Sequence, residues 1–302
     1  MTPASGNTLP LEEREREYSP SSRIGGNYAP HLDEYARRSV AARQGAAGHL
    51  ELSYGDAESH RLDLFMPAPT HTGRLPPLLM FIHGGYWQEL SRASSLFAAP
   101  DCTGAGAAFA AIDYTLAPQA SVHDIVLECR RALRWLHRHA RELGFDPQRI
   151  VVAGSSAGAH LAAMCCLRGW KDTADLPNGV PAAAVLVSGI YDLQPLVGTS
   201  INEALALDCA DARAVSPQLL PLEGFPPSVV CWGEIETSEF KRQGREFAKT
   251  LEEAGALQQP CIEAPGRNHF DVILDLLRPG TRLGDATWAL FSSLSFTPVR
   301  RT

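Results

Sequence analysis

The 302-residue chain is 45% hydrophobic and 20% charged, enough for one large core, and its formal charge of −7 argues against nucleic acid or an anionic membrane surface as partner. No apolar run approaches the ~20 residues of a membrane span, and the polar start Met1–Pro10 lacks the apolar region of a secretory signal. Seven cysteines, an odd number without a C-x-x-C pair, read as the reduced, buried thiols of a cytoplasmic protein.

Residues 1–10 are expected to be frayed. Leu11–Glu17 has dense mixed charge and little to bury, and predicts a solvated helix. Leu32–Arg43 predicts a second helix, ended by Gly45. Leu50–Tyr54 and Arg61–Phe65 read as paired strands, and Pro67–Pro77 as a loop by its four prolines and Gly73. Leu78–Ile82 is a continuous apolar run of strand length, the mark of a strand buried on both faces. Ala107–Ile112, Ile150–Ala153, Ala183–Val187 and Ser228–Trp232 repeat it. Between them, Val122–Leu143 sets Ile125, Cys129, Leu133, Leu136 and Ala140 on one helical stripe. Such alternation implies an α/β domain with a mostly parallel central sheet and helices on both faces. One domain is expected over 1–302, with 1–45 as a helical extension. Residues 193–227, which include a short helix at Glu203–Leu207, are expected to form a small helical lid insertion over the strand tips and to govern substrate choice.

Gly154-Ser155-Ser156-Ala157-Gly158 matches G-x-S-x-G, after an apolar strand and before a small-residue helix. That context is the nucleophile elbow of the α/β-hydrolase fold: a tight turn thrusts the Ser156 hydroxyl out of the sheet, and any flanking Cβ would strike neighbouring strands. A glycine- and serine-rich turn without chemistry would not require strand, turn and helix at this spacing. Ser155, at the x position, points elsewhere. His83-Gly84-Gly85-Tyr86-Trp87 follows the strand Leu78–Ile82, where this architecture builds the rest of its oxyanion hole. The N–H groups of Gly84, Gly85 and Ala157 are the expected donors. His83 is expected to tie the loop down, and Tyr86 and Trp87 either wall the substrate pocket or simply pack the loop.

The chain order serine, acid, histidine makes His269, in the polar turn Gly266–Asp271, the expected base. His160 lies one turn into the helix after Ser156 and is expected to bond within the core. Glu236, just past the strand Ser228–Trp232, is the expected acid, with Asp192 as its main rival; Glu239 and Asp271 read as helix-start charges. His137 and His139 lie two apart on a helix and face different ways, so no metal pattern appears, and a serine triad calls for no cofactor.

With these residues in hand, the chain resembles the kynurenine formamidase (arylformamidase) family of α/β-hydrolases. The likeness rests on Tyr18–Ser22 (YSPSS), His83–Gln88 (HGGYWQ), Asp113–Pro118 (DYTLAP), Gly154–Leu161 (GSSAGAHL), Ser188–Leu193 (SGIYDL), Glu236–Gln243 (ETSEFKRQ) and Asn268–Asp271 (NHFD). The serine motif and D-Y-T-L-A-P are shared with many esterases; H-G-G-Y-W, E-F-K-R-Q and N-H-F-D are more particular. The resemblance implies hydrolysis of N-formyl-L-kynurenine to formate and kynurenine, an acid at Glu236, and a homodimer. A carboxylesterase of small or aryl esters would share the same machinery, and a non-catalytic binding protein of this fold would be expected to have lost it.

Overall fold

Where the sequence runs continuously apolar, successive side chains divide between two cores. Leu78, Met80 and Ile82 enter one, while Leu79 and Phe81 enter the other; Ile150 and Val152 separate from Val151 and Ala153 in the same way. In the computed structural model, which describes residues 9–46, 48–69, 74–170 and 176–294, eight strands join one sheet. They are β1 (His49–Ser53), β2 (Arg61–Phe65), β3 (Leu78–Ile82), β4 (Ala108–Ile112), β5 (Ile150–Ser155), β6 (Ala183–Val187), β7 (Ser228–Ile235) and β8 (Ile262–Asn268). Their spatial order is β1-β2-β4-β3-β5-β6-β7-β8. Only the β1–β2 and β2–β4 pairs are antiparallel. This is the expected α/β-hydrolase sheet.

The helices are α1 (Leu11–Glu17), α2 (Ala29–Gly45), α3 (Ala99–Gly104), α4 (Val122–Leu143), α5 (Ala157–Cys166), α6 (Asn202–Leu205), α7 (Cys209–Ala214), α8 (Ser238–Glu253) and α9 (Arg282–Ser293). Helices α4, α5 and α8 cover one face; α2, α3 and α9 cover the other. The boundaries of α4 have local causes: Ser121 and Asp124 form a capping box, and Gly144 closes the helix in the left-handed region. Among the described residues no helix is long and apolar enough to cross a membrane.

Two elements depart from expectation. The turn expected at Gly266–Asn268 belongs to β8, a strand whose Pro265 and Gly266 hide it in the sequence. An edge strand tolerates both because, among the described residues, its outer side pairs with no strand, and the β7–β8 register shifts between Gly233 and Ile235. Helix α1 is also not simply solvated. Arg14 is 8% exposed and donates to the carbonyls of Pro195 (2.8 Å) and Val197 (2.7 Å), binding the start of the chain to the 193–227 segment. The expected fraying of residues 1–10 and the Gly73 turn fall largely or wholly outside the described residues.

Candidate active site

Ser156 sits between the last residue of β5 and the first of α5, with φ 57° and ψ −123°. Such a conformation costs of order 1–3 kcal/mol and persists only where its surroundings enforce it. Close packing enforces it here: a Cβ on Gly158 would collide with the Ile82 carbonyl and lie 2.6 Å from that of His83. Gly158→Ala is therefore expected to destabilise the fold by about 1–3 kcal/mol or more through overpacking. Urea unfolding with a lowered midpoint at constant slope is the check, and an unchanged midpoint would contradict the contact. The N–H of Ala157 belongs to the first turn of α5, whose amides have no partner within the helix.

The loop after β3 presses against this turn. A Cβ on Gly84 would lie 2.8 Å from the Ser155 carbonyl and 3.2 Å from Ser156 Cβ, and Gly85 has φ +92°. His83 holds the loop, as expected: its Nδ1 bonds the Gly84 carbonyl at 2.9 Å, and its ring stacks on Tyr114 at 4.2 Å. Tyr114 Oη in turn donates to the carbonyls of His83 and Gly84. Burial pushes the His83 pKa down to about 4, so the ring is neutral near pH 7.

The two aromatic residues of the loop part company. Tyr86 lines the cavity and donates its hydroxyl to the Tyr18 carbonyl. Trp87 does not reach it: the indole is fully buried and directs Nε1 to His160 Nδ1 at 3.3 Å, so its expected place on the pocket wall is corrected to packing behind it. His160 bonds the Val215 carbonyl through Nε2 at 2.6 Å, the core role anticipated for it.

Neighbouring strand ends bring the remaining residues together. Glu236 follows β7 and His269 follows β8; Glu236 Oε2 accepts from His269 Nδ1 at 3.0 Å. The other carboxylate oxygen accepts from Ser188 Oγ and the Gly233 N–H, each at 2.6 Å, and the side chain is fully buried. Three donors thus fix its position, two of which, Ser188 and Gly233, sequence reasoning missed. Asp192 turns elsewhere, accepting from the Gln194 N–H at 3.0 Å in a buried turn that raises its pKa. Asp271 accepts from the Asn268 N–H at 2.7 Å, and Asn268 Oδ1 takes the N–H groups of Phe270 and Asp271. These bonds shape the turn that carries His269, whose ring meets Phe240 edge-on at 4.4 Å. Glu239 is more than a helix-start charge, since it accepts from Tyr18 Oη at 2.8 Å and pairs with Arg242.

Ser156 and His269 line one cavity of about 430 Å³. Part of its wall comes from the N-terminal extension, including Glu15, Tyr18, Ser19, Tyr28 and Tyr35; Phe270 stacks on Tyr28 at 5.4 Å and Phe97 meets Tyr35 at 5.3 Å. The 193–227 segment contributes Ser200 and Ile201 to this lining. Pairing over such long sequence separations leaves no local signal, although Tyr18–Ser22 stood out in the family likeness. Among the described residues, the ligand atoms of His49, Glu51 and Asp63 lie within 4.8 Å of one another. Arg43 and Arg92 already pair with Asp63 there, so the cluster is a neutralised ion network and a poor metal cradle.

Comparison with known proteins agrees with the α/β-hydrolase fold. The family described as BD-FAE matches residues 62–194. The kynurenine formamidase of Salmo salar is 32% identical over 88% of this chain and 91% of its own length. That of Danio rerio is 31% identical over 89% and 92%. Among solved structures, a protein from Silicibacter sp. TM1040 described as a putative thioesterase superposes with a TM-score of 0.77 at 30% identity, covering 91% of this chain and 99% of its own.

Proposed function

The chain belongs to the kynurenine formamidase family of α/β-hydrolases, and from that premise we propose that it hydrolyses N-formyl-L-kynurenine to formate and L-kynurenine. In this reading Ser156 is the nucleophile, His269 the base, Glu236 the acid, and the N–H groups of Gly84, Gly85 and Ala157 the oxyanion hole. The observation that carries it is the His269–Glu236 hydrogen bond at 3.0 Å on a cavity that Ser156 also lines.

With Nδ1–H committed to Glu236, His269 offers Nε2 to the Ser156 hydroxyl. Ser156 Oγ attacks the formyl carbon while its proton passes to Nε2, and the carbonyl oxygen becomes an anion facing backbone N–H donors. Collapse breaks the C–N bond as the imidazolium returns the proton to the departing aniline nitrogen. A formyl ester remains on Ser156. Water attacks it, giving its proton to His269, and formate leaves as the serine is reprotonated. Formyl carbon bears only hydrogen, so attack is sterically open, and an aniline departs more readily than an alkyl amine.

The test compares kcat/KM for N-formyl-L-kynurenine with that for p-nitrophenyl acetate. A preference of ~10² or more for the formamide supports dedicated pocket contacts. Ester cleavage without formamide turnover would discard the substrate and leave a carboxylesterase. The reading includes a cytoplasmic location, in keeping with seven unbridged cysteines, and a homodimer, in keeping with the family.

A further inference from the structure

We infer that Glu15 selects the leaving group by pairing with an ammonium on the substrate, and that a substrate carboxylate finds no matching cation; this rests on the formamidase reading above. The cavity is lined by Glu15 and Glu89 and, among the described residues, by no lysine or arginine. The cations beside Glu15 in sequence are engaged elsewhere. Arg14 is turned into the carbonyls of Pro195 and Val197, and Arg16 pairs with Glu13 and Glu17.

Glu15 itself is held by neutral donors. Its two carboxylate oxygens accept from the N–H and the hydroxyl of Ser200, at 2.6 and 2.7 Å. This fixes where the carboxylate points without neutralising it, and each oxygen keeps a lone pair for a further donor. A group oriented in advance loses little freedom on binding a cation.

The rest of the cavity suits the remainder of such a substrate. Tyr28, Tyr35, Phe97 and Phe270 give the cavity an aromatic lining against which an aryl ring can pack, and in the proposed reaction Ser156 meets the formyl group. A formanilide with a short chain ending in an ammonium therefore has a complement for each part. A carboxylate on that chain would enter a region of negative potential.

Three formanilides test this on the full chain: N-formylkynurenine, N-formylkynuramine, which lacks the carboxylate, and 2′-formamidoacetophenone, which has neither charge. The expected kcat/KM for N-formylkynuramine is at least that for N-formylkynurenine, and about tenfold above that for the neutral compound, the effect of one partly desolvated charge pair. Glu15→Gln keeps the size and a carbonyl acceptor for Ser200 but loses the charge. It is expected to bring the ratio of cationic to neutral substrate down about tenfold, and turnover of the neutral compound reports that the variant has folded. A tenfold wild-type preference for N-formylkynurenine over N-formylkynuramine, or a ratio unmoved by Glu15→Gln, overturns the inference alone. No turnover of any formanilide beside rapid p-nitrophenyl acetate cleavage overturns the formamidase reading and the inference with it.

Discussion

Ser156→Ala is expected to lower kcat/KM for N-formyl-L-kynurenine by on the order of 10⁴ to 10⁶ while leaving the fold intact. The substitution removes one hydroxyl from a residue 8% exposed at the cavity wall. Alanine keeps the Cβ, so the same left-handed backbone at φ 57° is imposed on a residue of nearly the same shape, and stability should move by less than about 0.5 kcal/mol. What remains is whatever the backbone donors of Gly84, Gly85 and Ala157 and the cavity can do for direct attack by water. Steady-state kinetics on a variant with wild-type thermal unfolding measures this. Substantial turnover in that folded variant would sink the nucleophile assignment.

Glu236→Gln is expected to be nearly as damaging, about 10⁴-fold in kcat, for a reason that the hydrogen bonds make explicit. Glu236 is surrounded by donors: Ser188 Oγ–H, the Gly233 N–H and His269 Nδ1–H. A glutamine brings one oxygen and one NH₂. If the oxygen stays with Ser188 and Gly233, the NH₂ faces His269, whose Nδ1 must then accept; its proton moves to Nε2, which can no longer take one from Ser156. If the amide turns the other way, the imidazole keeps its tautomer but the NH₂ opposes two buried donors, costing about 1–3 kcal/mol for each group left unsatisfied. Either way the charge that stabilises the imidazolium is gone. Asp192→Asn should be mild by comparison, because Asp192 only closes a turn on Gln194. Parallel kcat measurements decide it: a crippled Asp192→Asn beside a mild Glu236→Gln would reverse the assignment of the acid.

The parts of the fold that local chemistry dictates were readable before any coordinates. Leu78–Ile82 and Ala183–Val187 announce buried strands because every residue is apolar, and the stripe from Ile125 to Ala140 announces α4. The elbow around Ser156 was legible for the same reason, since Gly158 must lie against β3 whatever surrounds it. The pairing of Glu236 with His269 could be anticipated from chain order. Its support could not, because Ser188 is an ordinary serine until β6 and β7 are neighbours. Strand β8 was hidden by Pro265 and Gly266, which an edge position forgives. The cavity wall was the least legible part. Arg14, Glu15 and Tyr18 look like surface charge and a stray aromatic until residues far along the chain come to meet them.

That last arrangement bears on how the protein is made. Synthesis delivers α1 well before its partners: the Arg14 partner at Pro195 emerges 181 residues later and the Tyr18 partner at Glu239 emerges 221 residues later. The opening helix must therefore wait, solvated and without its tertiary contacts, while most of the sheet leaves the ribosome. The wall that Tyr18 contributes to the cavity is fixed only once α8 exists. Nascent chains that stop between residues 200 and 239 hold the partners of Arg14 and Glu15 but lack Glu239 and Gln243, the two side chains that fix the Tyr18 hydroxyl.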